Sequence, residues 1–167
     1  MKKRHPMPLF RAIEPDVYVI DTSAWLNIEQ RSDSTDVWCL IGKLVERGRI
    51  VACAAVLSEM RDDPIYLTRI LEYETALQAG DRSSDDADYL MHVGKITHQH
   101  PGMSGARGAK TKADPYVIAL AELEKYVVVA DETCTHRPNK KIPGVCKERG
   151  IPCMNLDEFI AAASPTA

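Results

Sequence analysis

No stretch of this chain approaches the roughly 18–20 consecutive apolar residues of a membrane-spanning helix. That excludes an integral helical membrane protein. Strong charge of one sign is missing too: 21 Lys and Arg against 24 Asp and Glu leave a net charge of −3. Overall electrostatics therefore do not announce a nucleic-acid binder, although a local basic patch would serve one equally well. The five cysteines are an odd number, which argues against a disulfide framework. A secretory-type apolar core is also lacking, because Pro6, Pro8 and charged residues interrupt the basic segment MKKRHPMPLFRAIEP. A cytoplasmic location is the expectation. Cys39 and Cys53 sit in apolar runs and read as small core residues. No internal repeat or linker divides the 167 residues. The expected layout is a basic extension over 1–15, one domain over 16–162 and a short tail over 163–167.

What is present is an alternation of strand-like and helix-like segments. Val17 to Ile20 reads as a buried strand, and Ile50 to Cys53 as a second. Between them Ser34 or Asp36 would cap a helix with Val37, Trp38, Ile41, Leu44 and Val45 on one face, stopped by Gly48. AAVLSEM reads as a short helix. A longer helix from Asp63-Pro64 would turn Leu67, Ile70, Leu71 and Leu77 inward, and Ser84 would open the next, carrying Leu90, Met91 and Val93. HQHPGMSGARGAKTK has no apolar periodicity and reads as a loop. ADPYVIALAELEKY is a helix with Asp114 as its cap and Pro115 in its first turn. YVVVA is a β-branched strand buried on both faces. A helix from about Ile142, a strand around Ile151 to Met154 and a helix from Asn155 close the chain. This order predicts a three-layer α/β/α fold around a parallel sheet of about four to five strands.

Acids stand at related points of that pattern. Asp21 ends the first strand, Glu59 follows the second, Asp114 opens a helix, and Asp131 and Glu132 follow the YVVVA strand. Each has an ordinary explanation. Asp21 could cap a helix beginning at Ala24, with Thr22 and Ser23 as competing caps, and Asp63-Pro64 shows that Asp-Pro serves this chain as a helix opener elsewhere. The set says more than its members. In a parallel sheet the carboxyl ends of the strands share one edge, and clustered carboxylates raise one another's pKa values unless a cation compensates them. Oxygen ligands of this kind suit Mg²⁺ or Mn²⁺.

The stretches VIDTS, ADPYVIALA and VVVADE, with Glu59 between the first two, resemble the PIN domain, a family of metal-dependent ribonucleases. The resemblance runs from about Val17 to Ile160, and the tail KIPGVCKERGIPCMNLDEF is similar to that of prokaryotic PIN-like proteins. It implies a parallel sheet with helices on both sides and an acidic pocket that binds Mg²⁺ or Mn²⁺ and hydrolyses RNA. Asp21, Glu59 and Asp114 match the first three acids, with Thr22 and Ser23 as the polar pair supporting the first. PIN domains usually carry a Thr, a spacer and an Asp after the last buried strand. Ala130 at the Thr position puts Glu132 at that acid, whereas Asp131 is the acid nearest the strand. Many family members are toxins of toxin–antitoxin pairs, which implies a cognate antitoxin and makes a homodimer reasonable.

Two basic clusters bracket the acids in sequence: Arg107, Lys110 and Lys112 ahead of Asp114, and Arg137, Lys140 and Lys141 after the last acid. They are candidates to grip RNA phosphates. Other motifs fail. In GMSGARGAKTK, Ala109 stands where a phosphate-binding loop needs Gly. Asp21 lacks the second Asp that a haloacid dehalogenase-like nucleophile requires two residues on. Cys134, His136, Cys146 and Cys153 match no standard zinc spacing. Trp25 and Trp38 read as core or subunit-contact residues.

Overall fold

A computed structural model describes residues 16–82, 85–103, 113–132 and 141–164. Four short strands form one parallel sheet in the order β2-β1-β3-β4: β1 is Tyr18–Ile20, β2 Ile50–Val51, β3 Val127–Val129 and β4 Cys153–Met154. Tyr18 sits opposite Ile50 on one side and Val127 on the other, so β1 is central. Every residue of β1 and β3 is buried, as expected of parallel strands covered on both faces. The fold is a three-layer α/β/α arrangement, and the described strands number four, within the expected range.

The helices follow local rules. α1 (Thr22–Ile28) starts directly after Asp21, two residues earlier than the sequence suggested, because Asp21 itself takes the cap. α2 (Ser34–Glu46) begins after Asp33 rather than after Ser34 or Asp36. Asp33 makes no side-chain cap bond, since its carboxylate is held by Arg31 at 2.7 Å. Gly48, with φ of +65°, turns the chain out of α2 as expected. Cys39 on α2 is exposed, which corrects its reading as a core residue. Its neighbours Trp38 and Leu40 carry the burial instead. α3 (Ala54–Met60) follows β2.

The segment after Asp63 is not one regular helix. It runs as a π-helical turn over Tyr66–Ile70, a 3₁₀ turn over Leu71–Tyr73 and then α4 (Glu74–Gln78). Tyr66, Ile70 and Leu77 face the core, whereas Leu67 and Leu71 are 66% and 49% exposed. Tyr66 is the residue that decides this face. Its ring is buried while its hydroxyl donates to Glu74, and the positions one step further round the helix then face outward.

α5 (Ala87–Gln99) is opened by Asp86, whose side chain accepts from the Tyr89 N–H; Ser84 lies outside the described residues. Val93 is buried as expected, but Leu90 and Met91 are exposed. α6 (Asp114–Glu124) follows, then α7 (Ile142–Arg149) and α8 (Leu156–Ala163). Asp114 is the first helical residue of α6 rather than its cap, which is Ala113. Asn155 and Glu158 form a reciprocal capping box on α8.

The core is continuous across the sheet. Trp25 stacks on Trp38 with ring centroids 5.8 Å apart, and Phe159 meets Tyr18 edge-on at 5.0 Å. Both tryptophans are therefore core residues. No helix among the described residues is long and apolar enough to cross a membrane.

Candidate functional site

The sheet order reverses between β1 and β3, and in open α/β sheets ligands bind outside the carboxyl ends of strands at such a reversal. Asp21 and the segment Ala130–Glu132 leave the sheet side by side there. The Asp21 N–H continues the ladder to the Val129 carbonyl at 2.9 Å. Its Oδ2 then accepts from the Ser23 N–H at 3.1 Å and the Ser23 hydroxyl at 2.8 Å.

Helix capping accounts for that one oxygen only. Oδ1 is buried and has no hydrogen-bond partner, in a residue that is 3% exposed. Burial pushes the Asp21 carboxyl above its ordinary range. The Ser23 bonds oppose the shift, and the charge of Glu132 adds to it. A carboxylate held this way lacks a positive neighbour on its free oxygen.

Ser23 links the two strand ends, since its hydroxyl oxygen also accepts from the Asp131 N–H at 3.1 Å. The Asp131 carboxylate turns away, towards Asn27 Nδ2 at 3.0 Å and the Leu156 N–H at a long 3.5 Å. Glu132 faces the other way. Its Oε1 accepts from Lys141 Nζ at 2.8 Å and its Oε2 from the Ile142 N–H at 3.3 Å. Of the two candidate fourth acids, Glu132 is the one whose charge reaches Asp21.

Lys141 stands among these acids. Its bond to Glu132 raises its pKa, burial works against the rise, and the charges of Glu132, Asp114 and Asp21 add to it. Lys141 bonds Glu132, while Asp114 and Asp21 act on it through their charge.

Glu59 serves a different purpose in this arrangement. Its Oε2 accepts from the Thr22 hydroxyl at 2.6 Å and its Oε1 from the Ala113 N–H at 2.7 Å. It ties α3 to the starts of α1 and α6, and so fixes where Asp21 and Asp114 stand.

Among the described residues no group of three or more His, Cys, Asp or Glu side chains is placed to hold a metal ion. The expected cage of four acids, with Asp131 or Glu132 as the fourth, is therefore not preassembled among the described residues. The donors nevertheless suit a hard cation, because Mg²⁺ is commonly bound through one or two carboxylates with water and substrate phosphate filling the rest. The orphaned Asp21 Oδ1 is the oxygen best prepared for it.

Arg107, Lys110, Lys112, Arg137 and Lys140 lie outside the described residues, as do Cys134 and His136. Cys146 and Cys153 are both free thiols, Cys146 buried and Cys153 half-buried. Sequence reasoning missed two partners, Asn27 under Asp131 and the reach of Lys141 back to Glu132. Nothing in residue type singles them out, since an Asn on a short helix and a Lys in a basic run are both ordinary.

Fold and site together define an open α/β protein with the acids Asp21, Asp131 and Glu132 at its topological switch point. Residues 18–166 match the family described as "Domain of unknown function (DUF4411)", and the chain belongs to that family. No curated protein matches the chain.

Proposed function

We propose that this protein is a Mg²⁺- or Mn²⁺-dependent endoribonuclease, the activity that the PIN resemblance implies. The observation that carries the reading is the Asp21 carboxylate. It is buried at the switch point, anchored through one oxygen by Ser23, and left with the other oxygen unpartnered. A protein with only a helix to cap has no use for that second oxygen, whose burial costs on the order of 1–3 kcal/mol.

The chain's own residues have separable tasks in this reading. Asp21 presents a fixed oxygen, and Asp114 and Glu132 add negative charge beside it. Glu59 and Ser23 hold the geometry. Lys141 offers a positive charge that can turn from Glu132 to a substrate phosphate. A bound divalent cation would supply Lewis-acid stabilisation of charge on the phosphoryl group and activation of water. The narrower form of the proposal is a cytoplasmic toxin with a cognate antitoxin, acting as a homodimer; its support is the same resemblance.

A second reading is a PIN-like interaction protein without catalysis. The Lys141–Glu132 ion pair favours it, because a tethered ammonium already compensates the pocket.

Labelled RNA and DNA incubated with the purified protein and Mn²⁺ or Mg²⁺ test both. The nuclease reading expects metal-dependent cleavage of RNA in preference to DNA, and reduction to background by Asp21→Asn. Equal cleavage by the variant would sink it. Calorimetric titration showing no Mn²⁺ binding at all would favour the interaction protein.

A further inference from the structure

Beside the acids lies a cavity of about 210 Å³, under the first turns of α7 and α8 at the carboxyl edge of β3 and β4. Cys153 lines it with Met154, Pro143, Glu132 and Glu158, so a half-buried thiol is open to small molecules from that side. Behind it stands a second thiol. Cys146 is fully buried on α7, which packs on β4. The Ile151 N–H donates to the Cys146 carbonyl at 2.9 Å and closes the turn that leads from α7 back into the strand. Cys153 follows two residues later, held opposite Val128 in the sheet. The leading influence on each thiol is its side-chain contact with the other, which lowers the pKa of Cys153 and raises that of Cys146. Burial raises both, and the charges of Glu158, Asp21 and Glu132 also work against the lowering at Cys153.

We propose that Cys153 and Cys146 form a reversible oxidation site whose substrate is a small hydroperoxide entering by the cavity. The site lies outside the nuclease reading and does not depend on it. The Cys153 thiolate attacks one peroxide oxygen. An S–O bond forms as the O–O bond breaks, and the departing alkoxide or hydroxide takes up the proton that Cys153 had lost. The Cys146 sulfur then attacks the Cys153 sulfenic acid. The S–S bond forms, the S–O bond breaks, and the hydroxyl leaves as water with the Cys146 proton. The pair of thiols gives up two electrons, and these reduce the peroxide to an alcohol or water and one further water. Position divides the roles. Of the two thiols Cys153 is the one lining the cavity, so it meets the oxidant, while buried Cys146 has only its neighbour to attack. Cys53 is no rival, being buried and pushed up to about 12, which leaves it inert. Cys39, exposed on α2, serves as the internal control.

The test treats the reduced full-length protein with equimolar hydrogen peroxide in the presence of a chelator, and reads intact mass, free thiols and a peptide map over time. The expected product has lost two hydrogens in mass and two titratable thiols, and yields a Cys146–Cys153 cross-linked peptide that dithiothreitol reverses. The Cys153 thiol is expected to disappear about tenfold sooner than that of Cys39. In Cys146→Ala the reaction is expected to stop at Cys153, where dimedone traps the sulfenic acid. Cys153→Ala is expected to leave Cys146 reduced. Should the buried position tolerate neither Cys146→Ala nor Cys146→Ser, the peptide map of the wild-type product decides alone. A disulfide that joins any other cysteine overturns the proposal. So do loss of Cys39 ahead of the pair, a dimedone adduct on Cys146 in Cys153→Ala, and a wild-type protein that keeps every thiol.

Discussion

Lys141 Nζ stands 2.8 Å from Glu132 Oε1, so the pocket's acids carry their own cation on the chain. A divalent ion entering beside Asp21 has to share that field with the ammonium. Lys141→Met should therefore tighten Mn²⁺ binding, by about fivefold for the ~1 kcal/mol expected of a partly exposed pair. The same change should weaken binding of an uncleaved RNA, because a phosphate partner is lost. Lys141→Arg should restore both towards wild type. Parallel calorimetry and RNA-binding measurements check the opposed signs. If both affinities move the same way, Lys141 does not act as the pocket's counter-ion.

Asp21 should be costly to the fold as well as useful to the site. Its carboxyl is raised by burial, and one oxygen lacks a partner. Asp21→Asn removes the buried charge and keeps an acceptor for the Ser23 N–H. In metal-free buffer at neutral pH the variant should melt about 2–4 °C higher, the shift that ~1 kcal/mol gives a domain of this size. Added Mn²⁺ should raise the Tm of wild type and leave the variant unmoved. Scanning calorimetry with and without the ion reads both effects.

The two acids after β3 should separate cleanly. Glu132 shares the pocket, whereas Asp131 holds Asn27 and approaches the start of α8. Glu132→Gln should weaken Mn²⁺ binding and RNA cleavage with little change in Tm. Asp131→Asn should lower the Tm by about 1–3 °C through the weakened Asn27 contact, with a smaller effect on metal binding. The reverse pattern would make Asp131 the pocket acid.

That distinction was not available from residue order. Asp131 and Glu132 are neighbours, and only the placement of Asn27 and Lys141 decides which carboxylate turns inward. The strands were legible because VVV and YVI combine β-branched or aromatic residues with complete burial. The helix from Ala87 was legible in outline through its apolar spacing. The face of the segment after Asp63 was not, because Leu67 and Leu71 look as apolar as any core residue. A buried Tyr66 bonded to Glu74 won the inner face instead. The sequence pattern offered the acids as a set, but not the separate partners that each of them takes. Glu59 lies in a stretch whose sequence gives no hint that its two oxygens will be taken by Thr22 and Ala113.

The start of α5 supplies a pH-dependent prediction well away from the acids of the pocket. Asp86 Oδ1 accepts from the Tyr89 N–H at 3.0 Å, and Oδ2 receives Arg82 at 2.8 Å. Arg82 also bonds Glu124 at 2.6 Å, which ties the start of α5 to the end of α6. The Tyr89 bond and then the Arg82 guanidinium hold the Asp86 carboxyl below its ordinary value of 3.8. A depressed folded pKa means that the carboxylate form is the one favoured by folding. Its contribution is complete above the ordinary value and disappears as pH falls through the folded one. Asp86→Ala should therefore lower the Tm near neutral pH, with the deficit closing below about pH 4 as the wild-type carboxylate protonates. Asp86→Asn, which keeps a capping oxygen but no charge, should fall between the two at neutral pH. Melting curves of the three proteins across an acid series test this, and a deficit that stays constant with pH would mean the charge contributes nothing.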